Sequence, residues 1–160
     1  MVNSLSSLPV SRAELDLLTQ SPVLFDALVA EDETSCTLEM TPTIDHPGVR
    51  QQRTTPRWPH HLPGELVIGL TGQAACILLS RRGHIDNAWR GHGVRITEAR
   101  YSAPVLLGER CFTRVELHRL RRLRGSLHAR LRFRMWKLAP DGSEIETFRS
   151  QQDAIFFPGE

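Results

Sequence analysis

Two adjacent histidines open the part of this chain that is best equipped for chemistry. His60 and His61 stand just before a Pro63-Gly64 pair, and a nearly continuous apolar run from Leu66 to Leu79 follows. An imidazole has an ordinary pKa of about 6.5, so a positioned histidine can take a proton near neutral pH. The histidine pair is therefore a candidate general base, provided that the apolar run holds it in place.

The apolar run predicts one long helix from Pro63 to about Arg82. Proline is favoured at the first position of a helix, where its missing N–H costs nothing. Arg81, Arg82 and Gly83 supply the cations and the glycine that are typical of a helix C-terminus. Because the helix is apolar nearly all round, we expect it to be buried on most sides, as when a sheet wraps around it.

Strands are predicted on both sides of this helix, which indicates an α+β fold. A capping-box pattern of Ser11 and Glu14 also predicts a short helix within residues 11–20. Alternation of apolar and polar residues predicts the strands. They cover residues 23–29, 35–40, 94–103, 111–118, 127–136 and 144–157.

A long loop, residues 41–62, leads into the helix. Its residues 41–59 hold four prolines and many polar residues with no helical or strand period, which is typical of a loop. Loops longer than about 12–15 residues tend to be functional or mobile, so we expect an active-site or dimer-interface loop. His46 lies in it beside Asp45 and is a second candidate base; the alternative is an ordinary exposed loop histidine.

The helix and the residues before it resemble the dehydratase branch of the hotdog-fold enzymes. In those proteins a His precedes Leu-Pro-Gly, and the helix reads Pro-Gly-x-Leu-x-x-Glu-x-x-x-Gln-Ala; here His61 begins the match and Gln73-Ala74 ends it. The resemblance implies a hotdog fold, a curved antiparallel sheet wrapped around one long central helix. It also implies action on acyl thioesters of coenzyme A or acyl carrier protein, and a dimer with active sites at the subunit interface.

The resemblance also assigns roles. His61 matches the histidine that takes the proton alpha to the thioester carbonyl; the alternative is that His61 only caps the helix. No cofactor is implied, since phosphopantetheine of the carrier or coenzyme A bears the substrate. The residues that the resemblance places at the substrate are Pro63, Gly64, Gly69, Gly72 and Gln73.

Gly69 departs from the family pattern, because it stands where the family has its catalytic Glu. Glycine has no side chain, so another group supplies the acid, a second polypeptide supplies it, or the chain is not a dehydratase. Glu65 is the only carboxylate on the helix, and a solvated first-turn acid is its ordinary interpretation. We expect Gly69 and Gly72 to pack closely against the sheet, with room for an acyl chain as the alternative.

Three functions are therefore open. The first is a 3-hydroxyacyl thioester dehydratase or dehydratase subunit of fatty-acid or polyketide type. The second is an acyl thioesterase, in which a helix acid would normally be wanted too. The third is a catalytically silent subunit that pairs with a hotdog paralogue bearing the missing acid.

Arginine dominates the basic residues of the chain. All but one of its 20 basic residues are arginine, although the net charge is only +2. Arg121, Arg122 and Arg124 form a cluster whose planar donors suit phosphate or an acidic carrier protein; a solvated strand face is the alternative. Nucleic acid is not expected as a partner, because aromatic residues are sparse and the net charge is small.

The remaining features of the sequence favour a cytoplasmic, soluble protein with one domain. The three cysteines form an odd, widely spaced set, which fits reduced thiols. Residues 1–10 have no secretory pattern and are expected to be flexible, and no apolar run reaches the roughly 20 residues of a membrane span. No metal site is expected, because the histidines lack a metal-binding spacing.

Overall fold

The computed structural model describes residues 7–159. Part of the segment predicted to be flexible, residues 1–6, lies outside the described residues, whereas Val10 is buried in a short strand. In chain order the elements are β1 (Val10–Ser11), α1 (Arg12–Asp16), β2 (Ala27–Glu31), β3 (Ser35–Met40), α2 (Gly64–Arg81), β4 (Arg90–Tyr101), β5 (Cys111–Leu123), β6 (Ser126–Leu138) and β7 (Glu144–Phe157).

The described strands form one antiparallel sheet in the order β1-β2-β3-β5-β6-β7-β4. Helix α2 contributes to the core that covers one face of this sheet. The predicted α+β arrangement, one long helix packed against an antiparallel sheet, is confirmed.

Helix α2 begins and ends within a residue of its predicted bounds. Pro63 precedes it, and Gly83 follows it with a positive φ of 68°. The N–H of Gly83 donates to the Ser80 carbonyl and that of His84 to the Leu79 carbonyl, which closes the helix as a Schellman motif. The buried residues of α2 are Val67, Leu70, Thr71, Ala74, Ala75, Ile77, Leu78 and Leu79.

The hairpin of β5 and β6 lies in the middle of the sheet, and its strand β5 contacts α2. Its turn is Arg124-Gly125, and both residues have positive φ, as a two-residue type I′ turn requires. Strand β5 runs on to Leu123, past the predicted end at residue 118, because a bulge after Leu117 lets the pairing with β6 continue. The predicted inward set of β6 is buried throughout: Leu127, Ala129, Leu131, Phe133 and Met135.

The segment before β2 differs from the prediction of a strand over residues 23–29. Strand β2 begins only at Ala27, because side chains bond the backbone upstream of it. The Val23 N–H donates to Asp16, the Leu24 N–H to Gln73, and Arg12 donates to the Phe25 carbonyl. These bonds satisfy the backbone without a neighbouring strand.

The first helix is shorter than residues 11–20, the range within which the capping-box pattern predicted it. Helix α1 covers five residues. The predicted cap is present, since the Ser11 N–H donates to Glu14 Oε2 at 3.0 Å and the Ser11 hydroxyl donates to the same oxygen at 2.8 Å.

Strand β4 lies at one end of the sheet and is exposed along its whole length. It pairs with β7 on one edge, and no described strand pairs with its other edge. The exposed fractions of Val94, Ile96 and Tyr101 are 58%, 47% and 52%. A long edge strand with unpaired backbone N–H and C=O groups is an association site unless something covers it.

Candidate functional site

An open cleft of about 440 Å³ lies at the N-terminal end of α2. The loop before α2, the first turn of the helix and the adjoining strand ends of β4 and β7 all contribute to it. Its lining includes Trp58, His61, Gly64, Val67, Tyr101 and Thr147. The cleft thus brings His61 and Gly64, two of the predicted site residues, together.

The backbone of His61 is clamped between two segments. Its N–H donates to Gln52 Oε1 at 3.0 Å, and Gln52 Nε2 donates to the His61 carbonyl at 2.9 Å. On the other side His61 forms an antiparallel bridge with Leu106, and the Leu62 N–H donates to the Val105 carbonyl at 2.8 Å. These bonds fix the point from which the imidazole projects.

The His61 ring is held in one tautomer. Its Nδ1 lies 3.0 Å from the Pro59 carbonyl oxygen, and a carbonyl can only accept, so Nδ1 carries the hydrogen and donates. The Nε2 of the neutral ring then keeps its lone pair, which is the form a general base needs. The alternative that the His61 side chain caps α2 is wrong, because the helix has no side-chain cap.

The other two histidines of the loop are engaged within it. His60 Nδ1 donates to the Val49 carbonyl at 3.0 Å. His46 is buried rather than exposed, which contradicts the alternative of an exposed loop residue. Its Nδ1 accepts the Thr43 N–H at 2.9 Å, and His46 does not line the cleft. His46 holds a turn of the loop, so the second candidate base is not brought to the site.

The two mid-helix glycines lie on the uncovered side of α2. Gly69 and Gly72 are exposed, and a Cβ built on either would meet no heavy atom within 4 Å. The expectation that they pack closely against the sheet is therefore wrong. The side of α2 where the missing acid would stand is open, so the lack of a side chain is not a demand of packing within this chain.

The other residues that the resemblance placed at the substrate divide between the cleft and the scaffold. Pro63 is buried, and the carbonyl of Gly64 accepts the Tyr101 hydroxyl at 2.9 Å. Gln73 Oε1 accepts the Leu24 N–H at 3.0 Å, and its Nε2 donates to the Pro22 carbonyl at 3.1 Å. The amide of Gln73 thus ties the segment before β2 to the helix.

The arginine cluster lies at the other end of the molecule from His61. Arg124 is in the β5–β6 turn, and Arg122 donates to the carbonyl of His84, just beyond the C-terminus of α2. The guanidinium of Arg122 also lies 5.5 Å from the ring centre of Trp89. Eighteen helical residues span about 27 Å, so the cluster is not at the cleft of its own chain.

The arginines of β6 form the solvated outer face that was the alternative interpretation. Arg130 Nε lies 2.8 Å from Asp153 Oδ1, and Arg134 Nη2 lies 2.8 Å from Glu144 Oε2. A groove of about 320 Å³ on this face is lined mainly by arginines and glutamates, and no histidine lines it. Exposed pairs of this kind contribute little to stability.

Sequence reasoning missed three cleft residues. Tyr101, the only tyrosine, packs on Phe148 with ring centres 4.8 Å apart. Burial and the charge of Glu65 raise the pKa of its hydroxyl. Trp58 is 67% exposed at the cleft, and the buried Thr147 hydroxyl has no hydrogen-bond partner among the described residues. The one sequence signal for any of these three residues was the position of Tyr101 near the end of a predicted strand.

No helix within 7–159 is long and apolar enough to cross a membrane. In the same part of the chain, no group of three or more His, Cys, Asp or Glu side chains is arranged to hold a metal ion.

No protein-family model and no curated protein sequence matches the chain, but solved structures do. The dehydratase heterocomplex ApeI:P from Xenorhabdus doucetiae is similar with a TM-score of 0.62 and 16% identity, over 97% of this chain and 93% of that chain. A thioesterase family protein from Silicibacter pomeroyi has a TM-score of 0.56 and 14% identity, over 82% and 84%. A variant of 4-hydroxybenzoyl-CoA thioesterase, complexed with 4-hydroxybenzoyl-CoA, has a TM-score of 0.56 and 12% identity, over 77% of this chain and 84% of that chain. The chain therefore has the predicted hotdog fold.

Proposed function

We propose that the chain is an acyl-thioester-processing protein that dehydrates 3-hydroxyacyl thioesters, with His61 as the general base. The observation that carries the proposal is the state of the His61 ring: Nδ1 is bonded to the Pro59 carbonyl, which leaves Nε2 as a proton acceptor in a cleft. One of the similar solved structures is a dehydratase heterocomplex, which adds support from the fold.

In this mechanism His61 Nε2 takes the proton alpha to the thioester carbonyl. Gly64 lines the cleft in the first turn of α2, where backbone N–H groups lack helical partners and the helix dipole is positive. These groups stabilise the negative charge that develops on the thioester oxygen. Pro63 starts the helix and so sets the direction of these N–H groups.

The substrate is a thioester on phosphopantetheine of acyl carrier protein or of coenzyme A, and no other cofactor is needed. The open side of α2 at Gly69 and Gly72 gives an acyl chain room to lie along the helix. A side chain at either position would narrow that path.

We further propose that the functional unit is a dimer joined through β4. The unpaired edge of β4 and the open side of α2 both stay uncovered in the single chain, and a second hotdog chain would cover them together. The partner is a second copy of this chain or a paralogue.

Antiparallel pairing of two β4 strands also gives the arginine cluster a role. Arg90, at the start of β4, pairs with Phe157, and Leu127 of the β5–β6 hairpin pairs with the adjacent Phe156. In such a dimer the hairpin end of one copy lies beside the Tyr101 end of the other. Arg121, Arg122 and Arg124 would then bind the phosphate or acidic carrier of the substrate in the partner's cleft.

A silent-subunit function is the second candidate, and Gly69 is the observation that favours it. An acid on a partner chain would complete the site if this chain supplied only His61. The thioesterase alternative differs in its product, because it releases a free thiol instead of an enoyl thioester.

The deciding experiment compares both reactions on the purified protein. Enoyl thioester formation from 3-hydroxybutyryl thioesters of coenzyme A and carrier protein is measured by absorbance, and free thiol by a thiol reagent. We expect enoyl formation that His61→Ala lowers by a factor of about 10² or more, while His118→Ala on the exposed part of β5 has no effect. Release of free thiol without enoyl product would favour the thioesterase. Absence of both products would favour the silent subunit.

A further inference from the structure

Dehydration needs a proton donor as well as a base, and the cleft has few groups to offer. No carboxylate lines it among the described residues. Its polar side chains are Trp58, His61, Tyr101, Ser102 and Thr147. Of these, once His61 serves as the base, only the phenol of Tyr101 is an acid of useful strength, with an ordinary pKa of about 10.

Tyr101 is held at the same end of α2 as His61. Its hydroxyl donates to the Gly64 carbonyl at 2.9 Å, in the first turn of the helix, and His61 stands three residues before Gly64. The ring packs on Phe148, with centres 4.8 Å apart. It is nevertheless 52% exposed and lines the cleft, so Phe148 supports the ring while part of the side chain stays accessible.

We propose that the Tyr101 hydroxyl is the proton donor that replaces the helix acid absent at Gly69. This inference rests on the proposed dehydratase function. His61 Nε2 takes the proton from C2, the electron pair forms the C2=C3 bond, and the C3–O bond breaks. The Tyr101 O–H gives its proton to the departing oxygen, which leaves as water, and the imidazolium returns a proton to the phenolate.

The surroundings of Tyr101 favour a donor and not a base. Burial and the carboxylate of Glu65 raise the pKa of Tyr101, so the phenol stays protonated at neutral pH. The other hydroxyls are weaker acids, and that of Thr147 is buried away from any partner among the described residues. The bond to Gly64 keeps the hydroxyl at the helix start when no substrate is bound.

The test uses two leaving groups. Tyr101→Phe removes only the hydroxyl, and its rates are measured on the N-acetylcysteamine thioesters of 3-hydroxybutyrate and 3-chlorobutyrate. Hydroxide needs a proton to leave, whereas chloride does not. We expect Tyr101→Phe to lower kcat on the hydroxy substrate by about 10² or more, with KM little changed, and to leave elimination of chloride within a few-fold of the wild type.

Two further variants complete the experiment. His61→Ala should lose both reactions, because both need the proton at C2 to be removed. Trp136→Phe, a conservative aromatic change on the outer face of β6 where Trp136 stacks on Phe112, should lose neither. Melting and size measurements on each variant check the fold.

Each other result counts against the proposal in a distinct way. Equal losses of Tyr101→Phe on both substrates would mean that the hydroxyl acts only through its bond to Gly64. An unchanged rate on the hydroxy substrate would place the donor elsewhere. If the wild type eliminates chloride but not hydroxide, Tyr101 is not the proton donor, although His61 can still be the base. That result would favour an acid on a partner chain. A wild type inactive on both substrates would overturn the proposed function itself.

Discussion

At the scale of single residues, the Gln52 side chain controls the position of the candidate base. Its amide makes both a donor and an acceptor bond to the backbone of His61. We expect Gln52→Ala to lower the unfolding free energy by about 1–2 kcal/mol and to lower kcat by roughly tenfold as His61 loses its fixed position. Enoyl thioester kinetics and a urea titration measure the two effects. A normal kcat in the folded variant would show that Leu106 and Val105 suffice to hold His61.

Asp32 is the residue that should link stability to acid pH. Bonds from the Ser35 hydroxyl and the Thr34 N–H hold the pKa of Asp32 well below its ordinary value of 3.8. A carboxylate whose pKa is lowered by folding stabilises the protein above its unfolded pKa and loses this contribution as the pH falls through the folded pKa. We expect unfolding titrations between pH 5 and about 2 to show a shallower loss of stability in Asp32→Asn than in the wild type. Identical slopes would exclude Asp32 as a source of the pH dependence.

Among single residues, the sequence predicted His61 as a base but not the state of its ring. That state depends on the Pro59 carbonyl, which only the path of the loop brings to Nδ1. Tyr101 was missed for a similar reason, since its partner Gly64 is 37 residues away in the chain. Residue types alone specify neither contact: the first depends on the backbone conformation of the loop over two residues, and the second joins distant parts of the chain.

At the scale of elements, periodicity predicted α2 and the buried face of β6 because each pattern repeats over many residues. It did not predict which side of α2 stays uncovered, because a helix that is apolar nearly all round has no polar face to mark the exposed side. It also placed a strand over residues 23–29, where the Gln73 amide and other side chains bond the backbone instead.

Gln73 should therefore matter for stability more than for substrate. Gln73→Leu removes both bonds to the segment of residues 22–24, and we expect the unfolding free energy to fall by about 1–3 kcal/mol with kcat/KM almost unchanged. Thermal melting and enoyl kinetics on the same sample distinguish the two effects. A large rise in KM in a stable variant would instead restore the substrate role that the resemblance assigned to Gln73.

At the scale of the whole molecule, the open edge of β4 should determine the assembly. Ile96 is an exposed apolar residue near the middle of that strand. A carboxylate there would lose much of its hydration in a β4–β4 interface, which is costly. We expect Ile96→Asp to run as a monomer in light scattering where the wild type runs as a dimer, with Leu138→Asp, at an exposed position of β6, as the matched control. A dimer that survives Ile96→Asp would mean that another surface joins the two copies.

The β4–β4 interface also determines whether the arginine cluster binds substrate in the cleft of its own chain or in the cleft of the partner. In the proposed dimer each site combines His61 of one copy with Arg121, Arg122 and Arg124 of the other. Changing the three arginines to Glu should weaken carrier binding and reduce its salt dependence. Mixing this variant with His61→Ala after unfolding and refolding together would create heterodimers with one intact site and one doubly altered site.

We therefore expect two nearly inactive proteins to regain roughly a quarter of wild-type activity when they are refolded together in equal amounts, since about half of the dimers would be mixed and each would hold one intact site. Refolding each variant alone is the control. Arginines that served the cleft of their own chain would leave each site of the mixed dimer defective, and activity would not return. Recovery would thus place the anion-binding arginines across the interface, where the 27 Å or so between the two ends of α2 no longer separates them from His61.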